Sequence, residues 1–335
     1  MDAANPIAES QRSRRVATRR ALLVMLGGTA AAVAGTLPWS DLKRAAGIAS
    51  SGKLQAVWGR RGVGPGRLHR PRAIAVDDRE HVYIVDMLAR IQVFDRDGKF
   101  LRGWRTPVSD NGRPTGLSID RDGNLIVADT HYFRVLFYTP SGQLLEQRTL
   151  GGIAGREPGQ FGFITDCVQD SLGNYYVSEY GEFDRIQKFD RDGQFLMQWG
   201  GQGAGPGQFR RPQSLALDAH EHLWITDACN HRIQVYDAKG DQPRLVRQWG
   251  TAGPQLGQLS FPYGLALDGR GHVYICEFGN HRVQKLTEEG VPVASWGQCG
   301  RQPGELYNPW AIAWDHHRQL FVLDTYNHRV QRISL

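Results

Sequence analysis

The chain has 335 residues, a formal net charge of +6, 41% hydrophobic and 22% charged residues, and four cysteines, the make-up of an ordinary soluble globular protein. Arg12, Arg14, Arg15, Arg19 and Arg20, against Asp2 and Glu9, place half of the positive excess in residues 1–34. No dense Lys/Arg run follows, which argues against a nucleic-acid partner.

The first element is an export signal. Thr18-Arg19-Arg20-Ala21-Leu22-Leu23 leads into an apolar stretch, Ala21–Val33, and Ala32-Val33-Ala34 offers small residues at the spacing of a cleavage site. A positive region, a short apolar core and small residues define a secretory signal. The arginine pair resembles a twin-arginine signal, although Leu22 and Val24 stand where Phe and Lys are usual. The apolar run to Leu37 falls short of the roughly 20 residues a spanning helix needs, so cleavage is preferred to an uncleaved anchor. Residues 1–34 are thus read as a signal peptide and 35–52 as a linker. The protein is expected in the periplasm or cell envelope, with membrane anchoring only if the N-terminal segment stays uncleaved.

From residue 53 the chain is periodic. Ile74-Ala75-Val76-Asp77 recurs as Leu117–Asp120, Cys167–Asp170, Leu215–Asp218, Leu265–Asp268 and Ile312–Asp315, with Asp-to-Asp spacings of 43, 50, 48, 50 and 47 residues. Periods of this size mark a solenoid or propeller. Each repeat reads as four short strands. In the fourth these are Leu215–Leu217, Leu223–Asp227, Arg232–Tyr236 and Val246–Gly250, separated by Gly- and Asp-containing turns. Five repeats end in a fourth strand, at Trp104, Leu150-Gly151, Trp199-Gly200, Trp249-Gly250 and Trp296-Gly297. The sixth stops at Ile333-Ser334-Leu335 after its third strand. Lys53–Gly59 has the missing strand's pattern, which predicts an all-β, six-bladed propeller over residues 53–335. Its ring is closed by an N-terminal strand completing the last blade, which removes an open sheet edge.

The signature around each second and third strand is Asp227-Ala228-Cys229-Asn230-His231-Arg232-Ile233-Gln234, with partners Glu277–Gln284 and Asp324–Gln331. Pro206-Gly207-Gln208-Phe209, followed by Pro212, runs between blades. This resembles the NHL repeat over residues 53–335. Blade two lacks the Pro-Gly-Gln-Phe run, and blade three has Ile164 where Pro is expected. No Gly-His to Trp-Asp pairing recurs, so a WD40 propeller fits less well.

The acids ending the second strands (Asp86, Asp129, Glu179, Asp227, Glu277, Asp324) and the arginines starting the third (Arg90, Arg134, Arg185, Arg232, Arg282, Arg329) occur once per blade. Six near-equal copies around a ring do not converge on one centre, so they are expected to be structural, each acid pairing with its arginine or taking loop amides. The same holds for His231, His281 and His328, and for the turn acids Asp77 and its equivalents. Function is expected where the repeats differ. The positions at the start of the innermost strands are Arg72, Thr115, Thr165, Gln213, Tyr263 and Trp310; the adjacent loop positions include Met87, His131, Tyr180, Cys229, Phe278 and Tyr326. Blades five, six and one should bring Arg72, Tyr263, Phe278, Trp310 and Tyr326 to one sector. With His131 these form the candidate ligand-binding set, although some of the rings could simply plug the pore.

Some NHL-like propellers are lyases, and the amidating-lyase resemblance implies zinc-binding His directly after the recurring Pro. No His stands at those six positions, whereas zinc needs three or four converging ligands. Streptogramin-lyase-like proteins rely on a pore His, for which only His131 qualifies. Asp166, Glu182 and Asp184 form a local acidic group that could hold a divalent cation, but a solvated loop is the simpler reading. The four cysteines show no CxxC spacing and are expected to be thiols. The resulting expectation is a monomeric, non-catalytic module without cofactor or metal. It would bind a protein, peptide or glycan on the loop face around the pore. The alternative is a lyase or hydrolase using the same mouth.

Overall fold

A computed structural model describes residues 49–50 and 52–335; the expected signal and nearly all of the expected linker lie outside the described residues. Six four-stranded antiparallel sheets follow one another along the chain. The fourth comprises Pro212–Leu217, His222–Asp227, Arg232–Asp237 and Arg244–Trp249, within a few residues of the sequence reading. The last blade takes its outer strand from the other end of the chain. Lys53–Trp58 pairs antiparallel with Arg329–Ser334, with Lys53 opposite Ser334 and Trp58 opposite Val330. Within the expected linker, Ala49–Ser50 adds a parallel fifth strand to blade five, opposite Ala294 and Ser295.

The middle strands, such as Val82–Asp86 and Leu320–Asp324, are buried throughout, whereas outer strands such as Phe100–Arg105 alternate between half-buried and exposed residues. That is the pattern of sheets packed face to face with one free edge. Six of the seven apolar core clusters accordingly lie one between each pair of neighbouring blades. The cluster between blades six and one gathers Trp58, Leu68, Ile84, Phe94, Phe321 and Val330, so the closing strand is part of a core and not only an edge cover.

The repeated polar residues are the fasteners of this scaffold. The fully buried carboxylate of Asp227 accepts hydrogen bonds from the Arg210 amide, Arg232 Nε, the Asn230 amide group and Gln234 Nε2. Arg232 then donates to the carbonyls of Ala204, Gly205 and Gln208 in the preceding loop. Arg90, Arg185, Arg282 and Arg329 repeat this arrangement. The turn acids Asp77, Asp120, Asp170, Asp218 and Asp268 each accept the amides two and four residues on. The repeat histidines join blades. His231, His281 and His328 sit at φ of 55–56° and use Nδ1 to accept the amides of Phe261, Asn308 and Arg70 in the next loop. In blade three this position is Asp184, also left-handed, whose carboxylate takes the Arg211 amide.

Candidate functional site

The innermost strands surround a central channel with a cavity of about 320 Å³, lined by Arg72, Thr115, Thr165, Gln213, Tyr263 and Trp310 among others. Local backbone irregularity places some of these side chains. Pairing of the first two strands passes from Pro71–Asp86 to Ala73–Val85, from Ile164–Glu179 to Asp166–Ser178, and from Pro262–Glu277 to Gly264–Cys276. Arg72, Thr165 and Tyr263 are therefore the extra residues of bulges, devices that re-aim a side chain out of the ladder.

The expected sector assembles. Tyr263 stacks on Phe278 at 4.8 Å between ring centroids and meets Trp310 edge-on at 4.8 Å, and Phe278 meets Tyr326 edge-on at 6.2 Å. The Arg72 guanidinium lies over Trp310 at 4.8 Å. Tyr263 and Trp310 are only 7% and 8% exposed and form a small core cluster with Ala228, so they wall the channel, whereas Tyr326 is exposed. Two further arginines belong to the site. Arg211, at φ 59°, lies over Tyr180 at 4.7 Å and Tyr263 at 5.2 Å. Arg70 lies over Tyr326 at 4.9 Å. The sequence reading missed both; their signal was their place beside the recurring Pro at 71 and 212.

Burial, the largest cause, and the nearby Arg211 hold the Arg72 guanidinium below its ordinary value, against the opposite pull of Tyr180, Tyr326 and Tyr263. His131, in blade two, packs on Phe163 at 5.2 Å. Burial, with Arg72 and Arg113 nearby, pushes its pKa down, so it is a neutral imidazole close to the arginines. Its Nδ1 is buried without a partner.

The acidic group in blade three does not converge. Asp166 lines the channel and accepts the amides of Leu215 and Cys167; burial pushes its pKa up to about 7. Glu182 is exposed and pairs with Arg156, while Asp184 is committed to Arg211. Among the described residues no three His, Cys, Asp or Glu side chains are grouped to hold a metal ion. The donor set after the recurring Pro, with the Arg72 cation in it, does not fit zinc. All four cysteines are free thiols.

The NHL repeat model matches residues 209–236 and 259–286. The six-bladed propeller carries NHL repeats in blades four and five. Among curated proteins, this NHL propeller is 37% identical over 142 residues to peptidylglycine alpha-amidating monooxygenase of Rattus norvegicus, 40% of the chain and 14% of that protein. It is 27% identical over 187 residues to NHL repeat-containing protein 3 of Mus musculus, 49% of the chain and 51% of that protein. The matches thus span from about a seventh to about half of these relatives' length. Among solved structures it resembles virginiamycin B lyase from Staphylococcus aureus, with TM-score 0.60, 15% identity, and 85% of this chain and 100% of that one covered. A streptogramin B lyase structure gives TM-score 0.59 and 14% identity over 82% and 96%. At such identities the likeness is one of fold.

Proposed function

We propose that this NHL propeller is an exported, non-catalytic binding module that captures a protein, peptide or glycan ligand at the channel mouth. The observation carrying this reading is the interleaving of Arg72, Arg211 and Arg70 with Trp310, Tyr263, Tyr180 and Tyr326. These anchors differ from blade to blade on a scaffold that repeats, and loops on rigid scaffolds carry function. Arginine and large aromatics are the residue types that dominate binding energy.

Tyr263 and Trp310 also hold the wall, so the test leaves them in place. Capture from a cell-envelope extract is compared between the chain and an Arg72→Ala/Tyr326→Ala variant, with thermal melting as the control for folding. Loss of one anchor of each kind is expected to lower capture at least about tenfold at an unchanged melting temperature; undiminished capture overturns the reading. N-terminal sequencing of the secreted chain is expected to begin at Gly35.

The match to the amidating monooxygenase favours a second reading, a lyase or hydrolase using the same mouth. It requires either bound metal by elemental analysis or a turnover that His131→Ala abolishes, and finding neither removes it.

A further inference from the structure

Two sets of buried or half-buried arginines contrast in this molecule. Arg90, Arg185, Arg232, Arg282 and Arg329 each hold a buried Asp or Glu and spend their remaining nitrogens on loop carbonyls. Arg72 and Arg211 do neither. Among the described residues Arg72 makes no hydrogen bond and no ion pair from its guanidinium, and Arg211 spends only Nε, on the Gln213 side-chain oxygen at 2.9 Å. A guanidinium whose ring contact takes up no N–H keeps its fork of donors free for a carboxylate.

The two cations flank one aromatic wall, with Arg72 over Trp310, Arg211 over Tyr263 and these two rings 4.8 Å apart, and the acids nearby are committed elsewhere. Asp184 takes the Arg211 amide, and Asp166 takes two backbone amides and the Ser214 hydroxyl. Two partly desolvated like charges without a counter-ion are costly to keep in a folded protein, which is the mark of a site completed by its ligand. Beside them stands the apolar wall of Tyr263 and Trp310, in a cavity of about 320 Å³. A carboxylate attached to an apolar group uses both features.

We infer that the channel mouth binds a carboxylate between Arg72 and Arg211, with the apolar group next to it seated on Tyr263 and Trp310. The inference rests on the reading of the mouth as a binding site and names its chemistry. The carboxylate belongs either to a small organic acid or to the C-terminus of a peptide entering end-on.

Calorimetry and tryptophan fluorescence on the full mature chain test this with five probes. They are 3-phenylpropionate, its neutral amide, inorganic phosphate, and a short peptide ending in Phe with a free or an amidated C-terminus. The acid is expected to bind at least about tenfold more tightly than its amide, as charge-assisted pairing to Arg requires. Arg72→Gln and Arg211→Gln should each bring it down to the amide's affinity. Both variants should melt at or above the wild-type temperature, because each removes an unpaired charge. Tighter binding of the free peptide than of the small acid assigns the carboxylate to a peptide terminus, and the reverse order to a small acid. Equal affinity for acid and amide, preference for phosphate, no binding by any acid, or unchanged affinity in both Gln variants overturns the inference. If acid and amide bind equally, and both are lost with Arg72→Ala/Tyr326→Ala, the mouth remains a binding site while the carboxylate assignment fails. If extract capture is indifferent to the mouth, the broader reading fails.

Discussion

Carboxylates at different depths in this propeller do different things, and single substitutions separate them. Asp227 is fully buried and neutralises Arg232, so Asp227→Ala leaves an uncompensated cation and should cost about 3–5 kcal/mol in chemical denaturation. The Glu182 partner of Arg156 is 73% exposed, and Glu182→Ala should stay within about 0.5 kcal/mol. Asp166 has no cation. An unfolded aspartate ionises near pH 4, whereas this one, once folded, does so near 7. Its raised value means that stability present at low pH is lost as pH climbs from about 4 through 7. Measured against Asp166→Asn, the wild type should therefore lose up to about 4 kcal/mol between pH 4 and 8. A difference independent of pH would show the carboxyl to be solvated. At this scale the sequence was informative about the repeated residues, because six copies cannot all be a catalytic centre. It said less about Arg70 and Arg211, whose neighbours on adjacent blades are far away along the chain.

Blade two is the weak element, and its sequence explains why. Without a Pro-Gly-Gln-Phe run before it, Arg134 has only Asp129, and its Nη2 is buried without a partner. Leu136 stands where Gln92, Gln187, Gln234, Gln284 and Gln331 hold the loops of the other blades. Phe133 replaces the joining His and stacks on Phe163 instead. Hydrogen exchange should open the pair Arg134–Tyr138 and Leu150–Gly151 before the third and fourth strands of blade four. Equal protection would mean that apolar packing alone sets local stability here. Strand positions were legible because alternation and turn acids are local. The bulges at Arg72, Thr165 and Tyr263 were not, since a one-residue shift in pairing depends on the neighbouring strand.

At the scale of the whole molecule, blade number and ring closure were legible, because the repeat count and the outer-strand pattern of Lys53–Gly59 are properties of the chain itself. The identity of the ligand was not, since the mouth draws side chains from several blades that no local pattern links. Removing residues 1–59 should leave Arg329–Ser334 as an open edge and strip Trp58 from the core between blades six and one. Light scattering should then show association of the truncated chain; a monomer that unfolds in one transition would mean the ring closes without its N-terminal strand. The pairing of Lys53 with Ser334 also sets a clock. Five blades can form as the chain emerges from the ribosome, but Lys53–Trp58 must wait until Arg329–Ser334 has been made. The ring is therefore closed only after Arg329–Ser334 has been made, and until then the early strand is a loose sticky segment that the cell must keep from other partners.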